Sequence, residues 1–202
     1  FRRSFLCVLY RKRCYRQRMK IYVARHGQTD YNAQDKICGA TDLSLNQKGF
    51  EQAEQLAEEV AKHPGIGLTV VSPMLRAKQT AEAVLRRCPM EKRTDDRLRE
   101  QNYGYFEGRD RMEPDFRIAR VQFAKPCPQG ESILQMAQRI YNFLDELIQE
   151  NPAGEILLVA HGSVSRVIRS YFVPMSNEEY GAFYQKNGAL EIYDTEEGIA
   201  SR

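Results

Sequence analysis

The chain has no apolar run that approaches the ~18–20 residues of a membrane-crossing helix; its longest, such as Ile156 to Ala160, have the length of buried strands. Its five cysteines (Cys7, Cys14, Cys38, Cys88 and Cys127) are odd in number, scattered, and form no CxxC. That excludes a disulfide framework and a zinc site, and it reads as reduced thiols of a cytoplasmic protein. Repeats, low-complexity tracts and linkers are missing as well. With 202 residues, 42% of them hydrophobic and 28% charged, the chain is neither disordered nor long enough for two ordinary domains.

Acidic residues are absent from residues 1–18, which hold seven basic ones. Setting those seven aside takes the net charge from +3 for the chain to −4 over residues 19–202. The body therefore gives no reason to expect nucleic-acid binding. The leader begins with Phe1, and Met19 stands directly before a strand pattern. It is expected to be a mis-called upstream start or an expression remnant outside the fold; the other reading is a basic arm for a membrane or nucleic acid. Its apolar piece, Phe5 to Tyr10, is shorter than a secretory core.

What is present alternates. Lys20 to Ala24 is a β-rich run. Ser44 with Gln47 is a capping-box pattern opening a helix on which Phe50, Ala53, Leu56, Ala57, Val60 and Ala61 recur at helical spacing, stopped by His63-Pro64-Gly65. Leu68 to Val71 reads as a strand, followed by a helix with Ala77, Thr80, Ala81, Val84 and Leu85 on one face. Residues 95–106 read as a polar connection and 107–131 as charged and irregular. A long helix begins near Ser132 with Ile133, Met136, Ile140, Phe143, Leu144, Leu147 and Ile148 as its stripe. Ile156 to Ala160 is a continuous apolar strand leading into a further helix, and Leu190 to Tyr193 is a last strand. This order predicts an α/β fold, a three-layer α/β/α sandwich with a mainly parallel central sheet.

Two of only three histidines, His26 and His161, follow apolar strand runs and precede glycine. In such sheets ligands bind beyond the carboxyl ends of strands. Arg25 precedes His26, and Arg76 lies just past the second strand. Three strand ends offering Arg-His-Gly, Arg and His-Gly describe an anion pocket. Glu100 is the candidate carboxylate for proton transfer.

Arg25-His26-Gly27-Gln28-Thr29-Asp30-Tyr31-Asn32 resembles the RHG[ET]xxN signature of the histidine phosphatase superfamily, the phosphoglycerate mutase-like family. The resemblance continues in order through Gly39 to Leu45 with Gly49, Ser72 to Ala81, Leu98-Arg99-Glu100 with Gly104 and Glu107-Gly108, Gly130-Glu131-Ser132, and Val159 to Gly162. It spans residues 19 to about 168 and implies a histidine phosphatase-like domain over 19–202. By that resemblance His26 is the nucleophile that becomes phosphohistidine, and Arg25, Arg76 and His161 hold the phosphate oxygens with Asn32 assisting. Glu100 is the proton donor and then the base, and the Gly162 and Ser163 N–H groups face the anion. Tyr103 and Phe106 are candidates for the pocket wall. No metal or other cofactor is called for.

The family's mutases carry a longer insertion after the Glu, with a Trp-Arg-Arg stretch. This chain has no tryptophan and only 29 residues between Glu100 and Gly130. Its Glu100-Gln101-Asn102-Tyr103-Gly104 lacks the mutase arginine. The expectation is a metal-independent phosphomonoesterase acting on a small phosphorylated metabolite, with cofactor-dependent mutase-type transfer as the alternative. Arg109, Arg111, Arg117, Arg120 and Lys125 are expected to be a solvated face balancing Asp110, Glu113 and Asp115 rather than contacts to a second anionic group. The sequence offers no sign of dimerisation.

Overall fold

A computed structural model describes residues 19–151, 154–195 and 198–199. The basic leader lies outside the described residues. Six strands form one sheet in the order β3-β2-β4-β1-β5-β6. They are β1 (Lys20–Arg25), β2 (Ile66–Val71), β3 (Glu91–Thr94), β4 (Glu155–Ala160), β5 (Leu190–Asp194) and β6 (Gly198–Ile199). β1, β2, β3 and β4 run parallel, and β5 and β6 add antiparallel pairings at one edge.

The helices are α1 (Asp30–Ala33), α2 (Gln47–Val60), α3 (Leu75–Arg87), α4 (Pro114–Ala119), α5 (Ile133–Glu150), α6 (Gly162–Phe172) and α7 (Asn177–Ala182). Alternate residues of the central strands serve opposite faces. Tyr22, Ala24, Leu157, Val159 and Val71 pack beneath α2 and α3, while Ile21, Val23, Ile156, Leu158 and Val70 pack against α5 and α6. Burial on both faces is why β4 reads as an unbroken apolar run. Truncating one such side chain, Leu158 for example, costs roughly 2–5 kcal/mol. The expected three-layer sandwich is thus formed. No helix among the described residues is long and apolar enough to cross a membrane.

The long helix starts where expected. Ser132 Oγ accepts from Gln135 N (3.1 Å) and Gln135 Oε1 accepts from Ser132 N (2.8 Å), a reciprocal cap. The cap expected at Ser44 is corrected. The Ser44 hydroxyl is engaged by Gln79 and the Leu45 carbonyl, and Asn46 Oδ1 accepts from Gly49 N (2.9 Å) to open α2. Phe50 is solvent-exposed and stands off the α2 stripe. α4 forms in the stretch expected to be irregular, and β3 in a stretch to which no element was assigned. Glu91–Thr94 has four exposed side chains, as suits a charged edge strand.

Candidate active site

Register builds the site. β1 and β4 pair with Arg25 opposite Ala160, so the next residue of each strand, His26 and His161, emerges at the same level. His26 N donates to Ala160 O (3.0 Å), and Ser72, just past β2, donates its N–H to Val159 O (3.0 Å). The two imidazole centroids lie 5.1 Å apart. Gly27 is required by a close approach: a Cβ there would lie 2.2 Å from the Gly49 carbonyl oxygen in the first turn of α2. Gly162 is less constrained, since its Cβ would sit 3.4 Å from Arg25 Cζ, an ordinary contact.

Hydrogen bonding sorts the ring nitrogens. His26 Nδ1 lies 2.6 Å from Gly27 O, so Nδ1 donates and Nε2 carries the lone pair. His161 Nε2 lies 2.7 Å from Ser72 Oγ. The Met74 N–H points at the same hydroxyl (3.4 Å), so Ser72 Oγ joins the entry to α3 to the His161 ring. Burial, followed by Arg76 and then Arg25, holds the His26 imidazolium well below its usual 6.5. His161 is shifted the same way by burial, Arg76, His26 and Arg25. Both rings are therefore neutral near pH 7.

Arg76, on the first turn of α3, is fully buried; its Nη1 donates to Thr41 O (2.8 Å) and its Nη2 to Gly39 O (2.8 Å). Arg25 donates Nη1 to Gln185 O (2.6 Å) and lies over the Tyr184 ring. In each guanidinium the Nε is buried without a hydrogen-bond partner among the described residues, and so is His161 Nδ1. An unpaired buried polar atom costs ~1–3 kcal/mol, and all three belong to side chains whose charge or ring acts on the His26 imidazole.

Glu100 lines the same cavity, its Oε1 accepting from Gln101 N (2.9 Å) and its Oε2 from Ser163 N (3.1 Å). That bond corrects the expectation that the Ser163 N–H faces an anion, because it is turned to the carboxylate. The Ser163 hydroxyl meets Tyr103 OH at 2.6 Å. Asn32 Oδ1 accepts from Thr29 N (3.2 Å) and Asn187 Nδ2 (3.3 Å), which leaves the Asn32 amide NH₂ as its free end. Tyr103, Asn32 and Gly162 all reach the cavity, of about 380 Å³. Phe106 does not; it packs with Ile37, Phe116 and Cys127.

The solvated-face expectation fails in part. Arg109 pairs with Glu113 (3.2 Å), and Arg117 and Lys125 are exposed, but Arg111 and Arg120 line the cavity. Residues 181–187 were given no role by the sequence, yet Gln185 seats Arg25 through its carbonyl, and Asn187 braces both His26 O (3.0 Å) and Asn32. Most of that work falls to the backbone, which leaves no sequence signal. Ser72 and Thr80, which accepts from Gly27 N (3.0 Å), lay within the matched motif but carried no role.

Comparison with known proteins gives these contacts a family. The model of the histidine phosphatase superfamily (branch 1) matches residues 21–200. A probable phosphoglycerate mutase GpmB of Escherichia fergusonii is 35% identical over 151 residues, 71% of this chain and 70% of that protein. The Yersinia pestis counterpart is 30% identical over 186 residues, 89% of this chain and 86% of its own length. A mycobacterial glucosyl-3-phosphoglycerate phosphatase, solved in complex with VO3, superposes with a TM-score of 0.77 at 28% identity, covering 86% of this chain and 90% of its own. The alpha-ribazole phosphatase of Shigella flexneri gives a TM-score of 0.75 at 25% identity, covering 86% and 89%. With phosphatases and mutases alike among its relatives, and a paired-histidine site at the ends of β1 and β4, the chain belongs to the histidine phosphatase superfamily and to its phosphoryl-transfer enzymes.

Proposed function

We propose that the protein is a metal-independent phosphomonoesterase that acts through a phosphohistidine on a small phosphorylated metabolite. The observation that carries this is the set of three buried nitrogens without a hydrogen-bond partner among the described residues (Arg25 Nε, Arg76 Nε and His161 Nδ1) beside an imidazole whose Nδ1 is already engaged. A phosphomonoester carries about −1.5 to −2 charge at pH 7, which repels an anionic nucleophile and favours a neutral one. His26 Nε2 attacks phosphorus in line, forming the P–N bond as the ester P–O bond breaks. The leaving oxygen takes a proton from the Glu100 carboxyl. Glu100, now a carboxylate, takes a proton from water as that water's oxygen attacks the phosphohistidine, and cleavage of the P–N bond returns His26 and releases phosphate. Arg25, Arg76 and His161 stabilise the equatorial charge throughout, with the Asn32 amide assisting. General acid catalysis supplies ~10²–10⁴-fold, so positioning and the cationic clamp carry the larger share.

The phosphatases among the structural relatives support hydrolysis, and the GpmB relatives favour a second reading, mutase-type transfer that returns the phosphoryl group to substrate. The test is phosphate release from a panel of small phosphomonoesters in excess chelator, with His26→Ala alongside and a 3-phosphoglycerate isomerisation assay in parallel. Release that survives the chelator and is lost in His26→Ala is the expected result. Isomerisation without net release would replace the hydrolase reading with the mutase one.

A further inference from the structure

Glu131 and Arg139 do not line the cavity, yet they hold the loop that carries Glu100. Residues 99–103 follow a 3₁₀ turn (Asp96–Leu98) and form no helix or strand, so their backbone groups need partners from elsewhere. Arg139, on α5, collects three carbonyls. Its Nη1 donates to Arg97 O and to Arg99 O (2.8 Å), and its Nη2 donates to Glu100 O (3.4 Å). The same Nη2 donates to Glu131 Oε1 (2.7 Å), and Nε donates to Glu131 Oε2 (3.2 Å). Every N–H of the guanidinium thus faces an acceptor. α5 needs none of these bonds for its own start, since Ser132 and Gln135 already cap it.

Glu131 closes the other side of the loop. Its N–H donates to Asn102 O (2.9 Å), its Oε1 accepts from Asn102 N (3.0 Å), and its carbonyl accepts from Gln101 Nε2 (3.3 Å). Residues 100–102 are therefore pinned by two side chains that also grip each other in a bidentate pair. The two side chains are 21% and 22% exposed, which shelters the pair from the screening that weakens a surface one. The Glu100 carboxyl takes its own bonds from Gln101 N and Ser163 N. The first of these donors belongs to the pinned segment, so the direction of the carboxyl follows the loop.

We infer that the Glu131–Arg139 pair is the positioning device of the general acid: it sets where the Glu100 carboxyl meets the leaving oxygen, and it acts on that proton transfer rather than on phosphate binding. This rests on the proposed reading of Glu100. In that step the bond from His26 Nε2 to phosphorus forms, the ester P–O bond breaks, and the Glu100 proton goes to the leaving oxygen. A general acid works only within hydrogen-bond reach, about 2.6–3.2 Å, and a misplacement of about 1 Å costs ~10²-fold. An alkoxide needs that proton, whereas the weakly basic p-nitrophenolate leaves without it. Loosening the pair is therefore felt with alkyl esters and nearly silent with p-nitrophenyl phosphate. A merely structural role lowers both alike.

The test measures kcat/KM for glycerol 3-phosphate and p-nitrophenyl phosphate in wild type, Glu131→Gln, Arg139→Lys and, as the reference, Glu100→Gln. This ratio covers the steps up to ester cleavage and leaves out the later attack of water. Arg139→Lys keeps the charge, which also acts on His161, but not the planar fork. Where a single change leaves an unpaired charge and fails to fold, Glu131→Gln/Arg139→Gln removes both charges together. The expected result is a fall of roughly 10- to 100-fold with glycerol 3-phosphate and less than about threefold with p-nitrophenyl phosphate, the pattern of Glu100→Gln in weaker form. Equal losses with both esters, or wild-type values, beside a selective Glu100→Gln overturn the inference. Amide hydrogen exchange gives a readout that needs no turnover. The Gln101 and Ser163 amides are expected to exchange about tenfold faster in the variants while Val167 and Ile168 keep their protection. If Glu100→Gln is not selective, the acid reading of Glu100 fails. In that case, or where neither ester is turned over, exchange alone decides: faster exchange keeps the pair as the holder of the Glu100 carboxyl, and unchanged exchange overturns it.

Discussion

Glu107 holds Arg76 without touching it. Its carboxylate accepts from Gly39 N (3.0 Å), Ala40 N (2.8 Å), Thr41 N (3.2 Å) and Thr41 Oγ1 (2.7 Å), and also from Tyr103 N (3.1 Å). The other side of that loop presents the Gly39 and Thr41 carbonyls to the Arg76 guanidinium. One carboxylate therefore fixes the loop carbonyls that seat the Arg76 guanidinium, and it ties that loop to the segment that carries Glu100.

Removing that charge while keeping its shape tests the brace. Glu107→Gln leaves one end of the side chain a donor facing donors. The expected outcome is a kcat lower by about tenfold or more with a folded, somewhat less stable protein, at a cost of ~1–3 kcal/mol. Glu107→Asp recovers part of kcat. Thermal melts beside steady-state kinetics check this, and wild-type kcat in Glu107→Gln would show that Arg76 needs no brace.

The two glycines that follow the histidines separate in the same way. Gly27→Ala forces a Cβ to within 2.2 Å of the Gly49 carbonyl oxygen, so α2 must shift, at a cost of roughly 1–3 kcal/mol or more. Gly162→Ala meets only the Arg25 guanidinium at contact distance. It is expected to fold normally and to keep most of its activity, because Arg25 need not move. Urea unfolding of both variants decides; equal destabilisation would contradict the packing read here.

The sequence showed β1, β2, β4 and β5 and the paired histidines because both depend on side-chain type. Val159 and Ala160 must be apolar to be buried, and an imidazole cannot be replaced by its backbone. The 181–187 strip was illegible for the opposite reason: Gly181, Phe183 and Gln185 act through carbonyls that any residue supplies. Arg111 and Arg120 misled because Asp110 and Asp115 balance them in sequence. In the fold Asp110 Oδ1 instead accepts from Met112 N (2.7 Å), and the two arginines turn inward. The choice between Ser44 and Asn46 as the cap of α2 depended on Gln79, 35 residues from Ser44, which no local pattern reports.

The two buried imidazoles make stability depend on pH in a defined direction. Each has a folded-state value well below its usual 6.5, so below about pH 6.5 the unfolded chain binds protons that the folded one refuses. The stability is complete above that pH and is lost as pH falls, by up to ~1.4 kcal/mol per pH unit for each ring until the folded values are reached. Urea unfolding at pH 7.5, 6.5 and 5.5 is expected to show a steeper acid loss in wild type than in His26→Gln/His161→Gln. Ring signals of both histidines keep neutral chemical shifts down to pH 5.5. Parallel slopes in the two proteins would mean that neither ring is held neutral.

Ser72 Oγ, 2.7 Å from His161 Nε2, is placed to set which nitrogen of that ring bears hydrogen. In the tautomer that the proposed mechanism requires, its hydroxyl takes the Met74 N–H and gives its own proton to His161 Nε2, and Nδ1–H is then a donor with no acceptor among the described residues. Ser72→Ala removes that instruction. The ring can then carry its proton on Nε2 and turn a lone pair toward the substrate's anionic oxygens, so a donor becomes a repulsion. The loss of one such transition-state contact is ~10²–10³ in kcat by the standard of oxyanion donors. KM should change less, because Arg25 and Arg76 still bind the ground state. Ser72→Thr keeps the hydroxyl and is expected to retain much of the activity. A ¹⁵N spectrum of the His161 ring reads the tautomer directly, and an unchanged Nδ1–H form in Ser72→Ala, together with wild-type kcat, would remove Ser72 from the mechanism.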